Sequence, residues 1–279
     1  MIRIKMKPLC KWSGGKRNEI KLFQKYYPQQ FNVYIEPFIG GGAVYFDLNF
    51  KGKNVINDVH PDLVNFYKMI ADGHSKEIYD LASSWGTTEI DFYIVRGGSK
   101  QKLKNGELPF VPKNDIERAA QFYYLRKTCF RGMIRYNDEG KFNIPWGRYK
   151  TVNFEDLLVP DYNHLLNRTD VSLGDYKHIF EKYNSPDNFV FLDPPYDSEF
   201  NDYGFDDFNR QSQIELAEIF KTTKNKCLMV ISETDFIKNL YKDFIVGTYP
   251  KKYAFKIYKG RIGDEIDKNH LIIMNYKNE

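Results

Sequence analysis

The chain has 279 residues, of which 42% are hydrophobic and 28% charged, a composition that fits a globular protein and excludes a disordered or fibrous one. Its formal net charge of +4 at pH 7 permits an anionic partner without demanding one. Cys10, Cys129 and Cys227 lie far apart and without metal spacing, which favours reduced thiols over a disulfide framework.

Targeting signals are not visible in the sequence. Charged residues interrupt the first seven positions, so no signal peptide is expected, and no segment is apolar enough to span a membrane. The five histidines form no ligand pattern. We therefore expect a cytoplasmic protein that binds neither a membrane nor a metal.

The first motif along the chain is K-W-S-G-G-K at Lys11–Lys16. It invites comparison with a phosphate-binding loop, but a Walker A motif needs four residues between its glycines and Ser or Thr after its lysine. Arg17 follows Lys16, which argues against that motif. Lys16 can still bind a carboxylate, and Trp12 can pack beside an aromatic ligand.

A β-α-β unit follows. Residues 33–38 predict a strand, residues 43–49 a helix and residues 55–58 a second strand, and Pro61 opens the next helix. Between the first strand and its helix, Gly40–Gly42 let a backbone approach a ligand closely.

The residues at the ends of these two strands indicate a nucleoside site. Asp58 stands about where a dinucleotide-binding fold keeps its ribose-binding acid, so its carboxylate can accept ribose hydroxyls. The glycine spacing does not match G-x-G-x-x-G, which argues against a nicotinamide cofactor. A glycine-rich turn alone is often purely structural.

From residue 73 to residue 166 the strand pattern stops. Residues 116–128 predict a helix, residues 103–114 a polar loop, and residues 130–149 a hairpin with its tip at Asn137–Gly140. Basic residues alternate with aromatic ones along this hairpin, which suits contact with phosphates, and an Arg there can read guanine by a bidentate pair. A solvated basic surface is the alternative interpretation.

Strands and helices alternate again in the last third of the chain. The predicted strands are 171–173, 189–192, 227–232, 244–246 and 271–274, and the predicted helices are 179–183, 211–222 and 236–241. Residues 197–207, rich in Asp, Asn and Gly, predict a mobile loop. Near the C-terminus a second basic run comprises Lys251, Lys252, Lys256, Lys259 and Arg261. The simplest organisation is one α/β domain with an inserted module.

Asp193-Pro194-Pro195-Tyr196 directly follows the apolar run Phe189–Leu192. This arrangement suits chemistry on an amino group of a flat ring, because the Asp193 carboxylate and the Pro194 carbonyl can accept its N–H bonds. Tyr196 offers a face for stacking a base that has left the double helix. The alternative is a stiff exit loop in which Asp only favours the turn.

Together these segments resemble the Dam-like, D12-class, α-type N6-adenine DNA methyltransferases. The resemblance spans nearly the whole chain, with the cofactor motif first, the recognition module next and the catalytic motif last. The matching segments are K-W-S-G-G-K at Lys11–Lys16, E-P-F-I-G-G-G-A at Glu36–Ala43, N-D at Asn57–Asp58, the hairpin Arg135–Tyr149, and D-P-P-Y at Asp193–Tyr196.

The resemblance implies an α/β fold: a Rossmann-like S-adenosylmethionine-dependent methyltransferase sheet with an inserted helical and hairpin target-recognition domain. The catalytic domain then comprises residues 1–72 and 168–279. The inserted DNA-binding domain comprises residues 73–167, with its hairpin at about 130–150.

The resemblance also implies S-adenosylmethionine as methyl donor, S-adenosylhomocysteine as product, and no metal. Trp12 and Lys16 match positions around the methionine end of the cofactor, and Asp58 matches the ribose ligand. The expected cofactor-binding residues are Trp12, Lys16, Glu36, Phe38, Gly40, Gly42, Asp58 and Asp193.

In the hairpin, Arg135 matches the family's guanine-reading arginine, Pro145 matches a proline that contacts thymine, and Phe130 and Met133 match residues that wedge into the duplex. Arg131 stands where relatives often have Asn, and Met133 where Leu is common. The expected DNA-binding residues are Phe130, Arg131, Met133, Arg135, Asn137 and Pro145. Many relatives recognise GATC, which makes GATC the first expected target.

The implied activity is methyl transfer to N6 of a flipped adenine in double-stranded DNA, with Asp193, Pro194, Pro195 and Tyr196 as catalytic residues. A separately acting restriction endonuclease is compatible with this activity, and we expect a monomer or a weak dimer. Two other functions stay open: methylation of cytosine N4, where Ser more often replaces the first Asp, and a DNA-binding module without catalysis. Methylation of protein glutamine or RNA usually carries Asn at that position and ranks lower.

Overall fold

The structure is a computed structural model that describes residues 6–98, 108–197, 208–253 and 266–277. It is a mixed α/β protein, and its described residues form seven strands. The chain divides into two compact units. The first unit comprises residues 1–17, 39–176 and 202–206, and the second unit comprises residues 18–38, 177–201 and 207–279.

The elements of both units are numbered here in chain order. The strands are β1 Val33–Glu36, β2 Lys53–Asp58, β3 Thr169–Leu173, β4 Asn188–Leu192, β5 Lys226–Ser232, β6 Ile245–Tyr253 and β7 Ile266–Met274. The α-helices are α1 Ile20–Phe23, α2 Ala43–Leu48, α3 Pro61–Ala71, α4 Ser75–Ser84, α5 Glu89–Val95, α6 Asp115–Thr128, α7 Pro160–Leu166, α8 Lys177–Lys182, α9 Arg210–Thr222 and α10 Asp235–Leu240. Short 3₁₀ turns lie at Gln24–Tyr26, Phe130–Gly132 and Glu155–Leu158.

The second unit is built on five strands in the order β1-β4-β5-β7-β6. β1, β4 and β5 are parallel, whereas β7 runs antiparallel to β5 and β6 antiparallel to β7. All five residues of β4 are buried, as expected for a central parallel strand that reads as a continuous apolar run. Ile35 is in register with Val190, so β1 and β4 end at the same edge of the sheet.

The first unit pairs β2 with β3 in parallel, with Asp58 opposite Leu173. Its helices bury an aromatic core in which the ring of Phe66 on α3 stacks on Tyr123 of α6 at 5.2 Å. These contacts fix α6, the helix that leads directly into the hairpin.

Polar caps explain where several helices begin. α3 starts at Pro61, with the Nδ1 atom of His60 accepting the backbone N–H of Leu63 at 3.3 Å. α6 starts after Asn114, whose side-chain oxygen accepts the N–H of Glu117 at 2.9 Å. Each cap satisfies a donor that the first helical turn would otherwise leave unpaired.

The predicted α/β fold class is confirmed. Within residues 130–149, the backbone carbonyl of Arg135 accepts the N–H of Asn143, and Asn137 donates its N–H to Lys141 and accepts the N–H of Gly140. The C-terminal strand pair was predicted too short, since residues 244–246 and 271–274 were expected where β6 and β7 have nine residues each.

The helices α1, α4, α5 and α7 were not predicted. α4 buries little more than Ile78 and Ala82, so its apolar stripe is thin. Three of the predictions fall partly outside the described residues: residues 103–107 of the polar loop, residues 198–207 of the predicted mobile loop, and Lys256, Lys259 and Arg261 of the basic run. None of the helices that the structure describes is long and apolar enough to cross a membrane.

Candidate active site

In the first unit, Trp12 packs closely against the glycine-rich turn at Gly40 and Gly41. A Cβ atom on Gly40 would come within 2.7 Å of the indole Cδ1, and one on Gly41 within 2.9 Å of the Trp12 Cβ. Gly40 has a φ of +46°, in the left-handed region. The predicted need for glycine at this turn thus has two causes, its backbone conformation and the indole ring beside it.

Asp58, the last residue of β2, forms a hydrogen bond with the same turn. Its Oδ2 accepts the backbone N–H of Gly40 at 2.9 Å, and its Oδ1 accepts the N–H of His60 at 3.0 Å. Each carboxylate oxygen can accept more than one hydrogen bond. The side chain is only half-buried, and it can both shape the turn and bind a ribose.

Lys16 is almost fully buried, at 1% exposure, which sequence reasoning did not foresee for a lysine on a glycine-rich turn. Its ammonium group donates to the carbonyl of Gly14 at 2.9 Å. Gly42 is the residue before α2, with a φ of +68° that favours glycine.

In the second unit, the tetrapeptide Asp193–Tyr196 follows β4 directly. Asp193, Pro195 and Tyr196 are half-buried, and Pro194 is buried. The buried Gln213 of α9 donates to the Pro195 carbonyl at 2.7 Å, which fixes the backbone after the second proline. Asp197, the next half-buried acid, accepts two bonds from Arg210 at 3.0 and 3.2 Å.

The Tyr196 ring stands edge-on to His270 of β7, with centroids 5.6 Å apart. His270 is buried and lies 2.8 Å from the carboxylate of Glu19, which is buried as well. Glu19 also accepts a hydrogen bond from the Tyr249 hydroxyl at 2.7 Å and forms an ion pair with the ammonium group of Lys251. Lys251, the first residue of the predicted basic run near the C-terminus, therefore pairs with a buried acid.

Glu36 and Phe38 flank the end of β1 in the second unit. Glu36 is buried and accepts a hydrogen bond from the hydroxyl of Tyr34. Phe38 packs edge-on against Phe208, with centroids 5.7 Å apart. Both side chains therefore have defined positions after the strand that leads to the glycine-rich turn.

The hairpin of the first unit brings several predicted DNA-binding residues together. Phe130 donates its backbone N–H to Pro145 at 2.8 Å, and Met133 donates to Phe130 at 3.1 Å. Phe130 remains 40% exposed, and Arg131 lies over its ring at 5.3 Å. These residues form one end of the hairpin and are presented to solvent as a group.

The other predicted hairpin residues lie toward the tip. Arg135 is exposed and donates from Nε to the side-chain oxygen of Asn143 at 2.7 Å, which orients the guanidinium group. Asn137 uses its side-chain oxygen to accept the N–H of Lys141 at 2.8 Å. Asn137 therefore shapes the tip as well as facing solvent.

Two residues that sequence reasoning missed, His60 and Arg126, contact Trp12. His60 packs edge-on against Trp12 at 5.6 Å and lies 2.8 Å from the Tyr136 hydroxyl through Nε2. Burial lowers the pKa of His60 to about 4, although Asp62 opposes the shift. Because neutral Nδ1 accepts from Leu63, Nε2 carries the proton and donates to Tyr136. The other residue is Arg126, whose guanidinium lies 5.4 Å from the Trp12 ring centroid.

The three cysteines are free and buried, and burial raises the pKa of each thiol. The described residues contain no group of three or more His, Cys, Asp or Glu side chains that could hold a metal ion. The first unit thus holds a glycine-rich turn beside a carboxylate and an exposed basic hairpin, and the second unit holds an acid followed by two prolines and an aromatic ring.

Known proteins resemble this chain along almost its full length. A family model described as D12 class N6 adenine-specific DNA methyltransferase matches residues 12–257. Type II methyltransferase M.CviBI of Paramecium bursaria Chlorella virus NC1A is 49% identical over 97% of this chain and 100% of its own length. Type II methyltransferase M.MjaIII of Methanocaldococcus jannaschii is 32% identical over 98% of this chain and 100% of its own. The DNA adenine methylase of Haemophilus influenzae is 28% identical over 86% and 84% of the two chains.

The chain belongs to the D12 class of N6 adenine-specific DNA methyltransferases. It is an adenine-specific DNA methyltransferase, which confirms the predicted family and enzyme class. Membership implies S-adenosylmethionine as methyl donor and double-stranded DNA as substrate.

Proposed function

We propose that this enzyme methylates N6 of an adenine flipped out of double-stranded DNA, within one short sequence for which GATC is the first candidate. The observation that carries the proposal is the placement of Asp193-Pro194-Pro195-Tyr196 directly after a fully buried strand, with Gln213 and His270 fixing the backbone and the ring. A rigid support is what orientation of a reacting amine requires.

The tetrapeptide acts on the amino group of the flipped base. The Asp193 carboxylate and the Pro194 carbonyl accept its two N–H bonds, so the nitrogen lone pair turns away from the ring and becomes nucleophilic. Negative charge at Asp193 stabilises the amine as it becomes cationic and then loses a proton. Tyr196 stacks on the base and compensates for the stacking lost when the base leaves the duplex.

The cofactor-binding residues in this proposal are those predicted from the sequence: Trp12, Lys16, Glu36, Phe38, Gly40, Gly42, Asp58 and Asp193. S-adenosylmethionine supplies the methyl group when bound, and S-adenosylhomocysteine is the product. The observation that supports this cofactor is the glycine-rich turn held beside the half-buried carboxylate of Asp58, whose Oδ2 accepts the backbone N–H of Gly40 at 2.9 Å. Asp58 binds ribose hydroxyls there, and Trp12 packs beside the ligand.

Sequence recognition belongs to the hairpin in this proposal. Arg135 reads guanine, and the Asn143 contact holds its fork in one orientation. Phe130 and Met133 occupy the gap left by the flipped base, with Arg131, Asn137 and Pro145 beside them. Residues 73–167 form the recognition domain, and residues 1–72 and 168–279 form the catalytic domain.

The proposal is tested by incubating the protein with S-adenosylmethionine and unmethylated genomic DNA and mapping every modified base. We expect N6-methyladenine confined to one short sequence. Confinement to GATC supports the assignment of Arg135 and Pro145, whereas another sequence contradicts GATC and leaves the chemistry in place. N4-methylcytosine, or no modified base while the cofactor binds, would contradict the proposed activity.

Replacing Gly40 with alanine is expected to weaken S-adenosylhomocysteine binding at least about tenfold, equivalent to about 1.4 kcal/mol. The new methyl group would lie 2.7 Å from the Trp12 ring, at a backbone φ of +46°. Isothermal titration calorimetry measures the dissociation constant. Gly73→Ala is the matched control, because Gly73 also has a positive φ, +94°, but no atom lies within 4 Å of the position that its new methyl group would take. Equal affinities for the two variants would contradict the role assigned to this turn.

A further inference from the structure

We propose that Arg126 is a positioning residue for base flipping: its buried guanidinium sets the shape of residues 130–133, here called the wedge turn, without touching DNA. The inference rests on the proposed function, in which Phe130 and Met133 enter the duplex. Nothing in the motifs of the sequence points to Arg126, which lies two residues before the end of α6.

Arg126 is 1% exposed, and its guanidinium contacts three backbone carbonyl groups, the Cys10 side chain and an indole ring. Nη1 donates to the carbonyl of Met133 at 2.6 Å. Nη2 donates to the carbonyls of Gly132 and Lys11. Two of the three carbonyls belong to the wedge turn itself, so the position of the guanidinium and the path of the turn are fixed together.

A buried cation held by neutral carbonyl groups is a costly arrangement, which indicates that its geometry matters. The planar fork of arginine can bond several carbonyls at fixed angles, whereas a lysine ammonium is a point charge on a flexible stem. Lysine at this position would therefore keep the charge and lose the geometry.

The wedge turn needs such support because its backbone is unusual. Arg131 and Gly132 have φ values of +54° and +63°, so two successive residues lie in the left-handed region. That region is sparsely populated by residues other than glycine. Gly132 also has little room, since a Cβ atom there would lie 2.7 Å from the Cβ of Lys11.

The same guanidinium lies over the Trp12 ring at 5.4 Å. Arg126 thus touches the wall of the proposed cofactor site and the backbone of the wedge turn with one planar group. In this arrangement the buried contacts of Arg126 set the direction of the exposed Phe130 ring. The exposed cations of the hairpin contact the DNA phosphates independently of Arg126.

The test compares Arg126→Lys and Arg126→Met with wild type on a duplex that carries the mapped target sequence with 2-aminopurine in place of the target adenine. A flipped 2-aminopurine fluoresces more strongly than a stacked one. We expect both variants to lose most of the fluorescence rise and, on the matching duplex with adenine at the target position, to show a kcat about 10- to 100-fold lower, because the wedge is misplaced. Their dissociation constants for DNA should change less than about threefold, because phosphate contacts dominate affinity.

Lys127→Met is the control, because Lys127 is the next residue of α6 and pairs with Asp156 at 2.7 Å instead of the wedge turn. It should keep wild-type fluorescence and kcat. If the Arg126 variants do not fold, Gly132→Ala decides, since its methyl group displaces the same turn with Arg126 in place. Wild-type flipping in Arg126→Lys, or in Gly132→Ala, overturns the inference. A wild-type protein that methylates no DNA instead overturns the proposed function.

Discussion

Replacing Asp193 with alanine is expected to lower the methylation rate by about 100- to 1,000-fold, the usual loss when one preorganised electrostatic contact is removed from a reacting centre. The carboxylate lies at the end of a fully buried strand and is half-buried, so it faces the proposed amine in a partly dehydrated setting. Single-turnover transfer of a labelled methyl group to the mapped DNA sequence measures the rate without product release.

The matched control is Asp187→Ala, which removes an exposed carboxylate beside the opposite end of the same strand. It should methylate at the wild-type rate. Asp193→Asn keeps the shape of the side chain and one acceptor oxygen but loses the charge, so its rate should fall between those of Asp193→Ala and wild type. A rate for Asp193→Ala within tenfold of wild type, in a protein that folds normally, would exclude Asp193 from the chemistry.

The position of Asp193 could be predicted because the signal is local. Four apolar residues followed by a carboxylate and two prolines define both the strand and the point at which it ends, and β4 indeed runs to Leu192. The glycine-rich turn was predictable for the same reason, because its glycines are adjacent in sequence. Pro61 marked the start of α3 correctly, since proline favours the first helical position.

His60 and Arg126 could not be predicted, because their contacts join distant parts of the chain. The Tyr136 hydroxyl lies 76 residues from His60, and the carbonyl of Lys11 lies 115 residues from Arg126. In the sequence, His60 is a lone histidine before a proline, and Arg126 is a lone arginine near the end of a helix. Only the packing of α3 and α6 shows that both contact Trp12. The helices α4 and α5 were missed for other reasons, since the apolar stripe of α4 is thin and α5 is only seven residues long.

When the pH falls from 7 to 5, the free energy of unfolding of wild type should decrease by about 2 kcal/mol more than that of His60→Asn. Burial lowers the folded-state pKa of His60 from 6.5 to about 4. Below pH 6.5 the unfolded chain therefore binds a proton that the folded chain does not, and stability falls until the pH reaches about 4, below which both states are protonated. One pKa unit corresponds to about 1.4 kcal/mol, which gives about 2 kcal/mol at pH 5. Urea unfolding at both pH values measures the loss.

Asparagine is the informative replacement because it can still cap α3, so the variant loses the titrating group and keeps an acceptor for the N–H of Leu63. His164→Asn is the matched control, since it makes the same replacement at an exposed histidine, on α7. Equal losses between pH 7 and pH 5 in wild type and His60→Asn would mean that the folded-state pKa of His60 is not lowered, so that His60 is protonated in the folded protein at pH 5. Its Nδ1 could then no longer accept from Leu63, and the proposed neutral link between Trp12 and Tyr136 would be wrong.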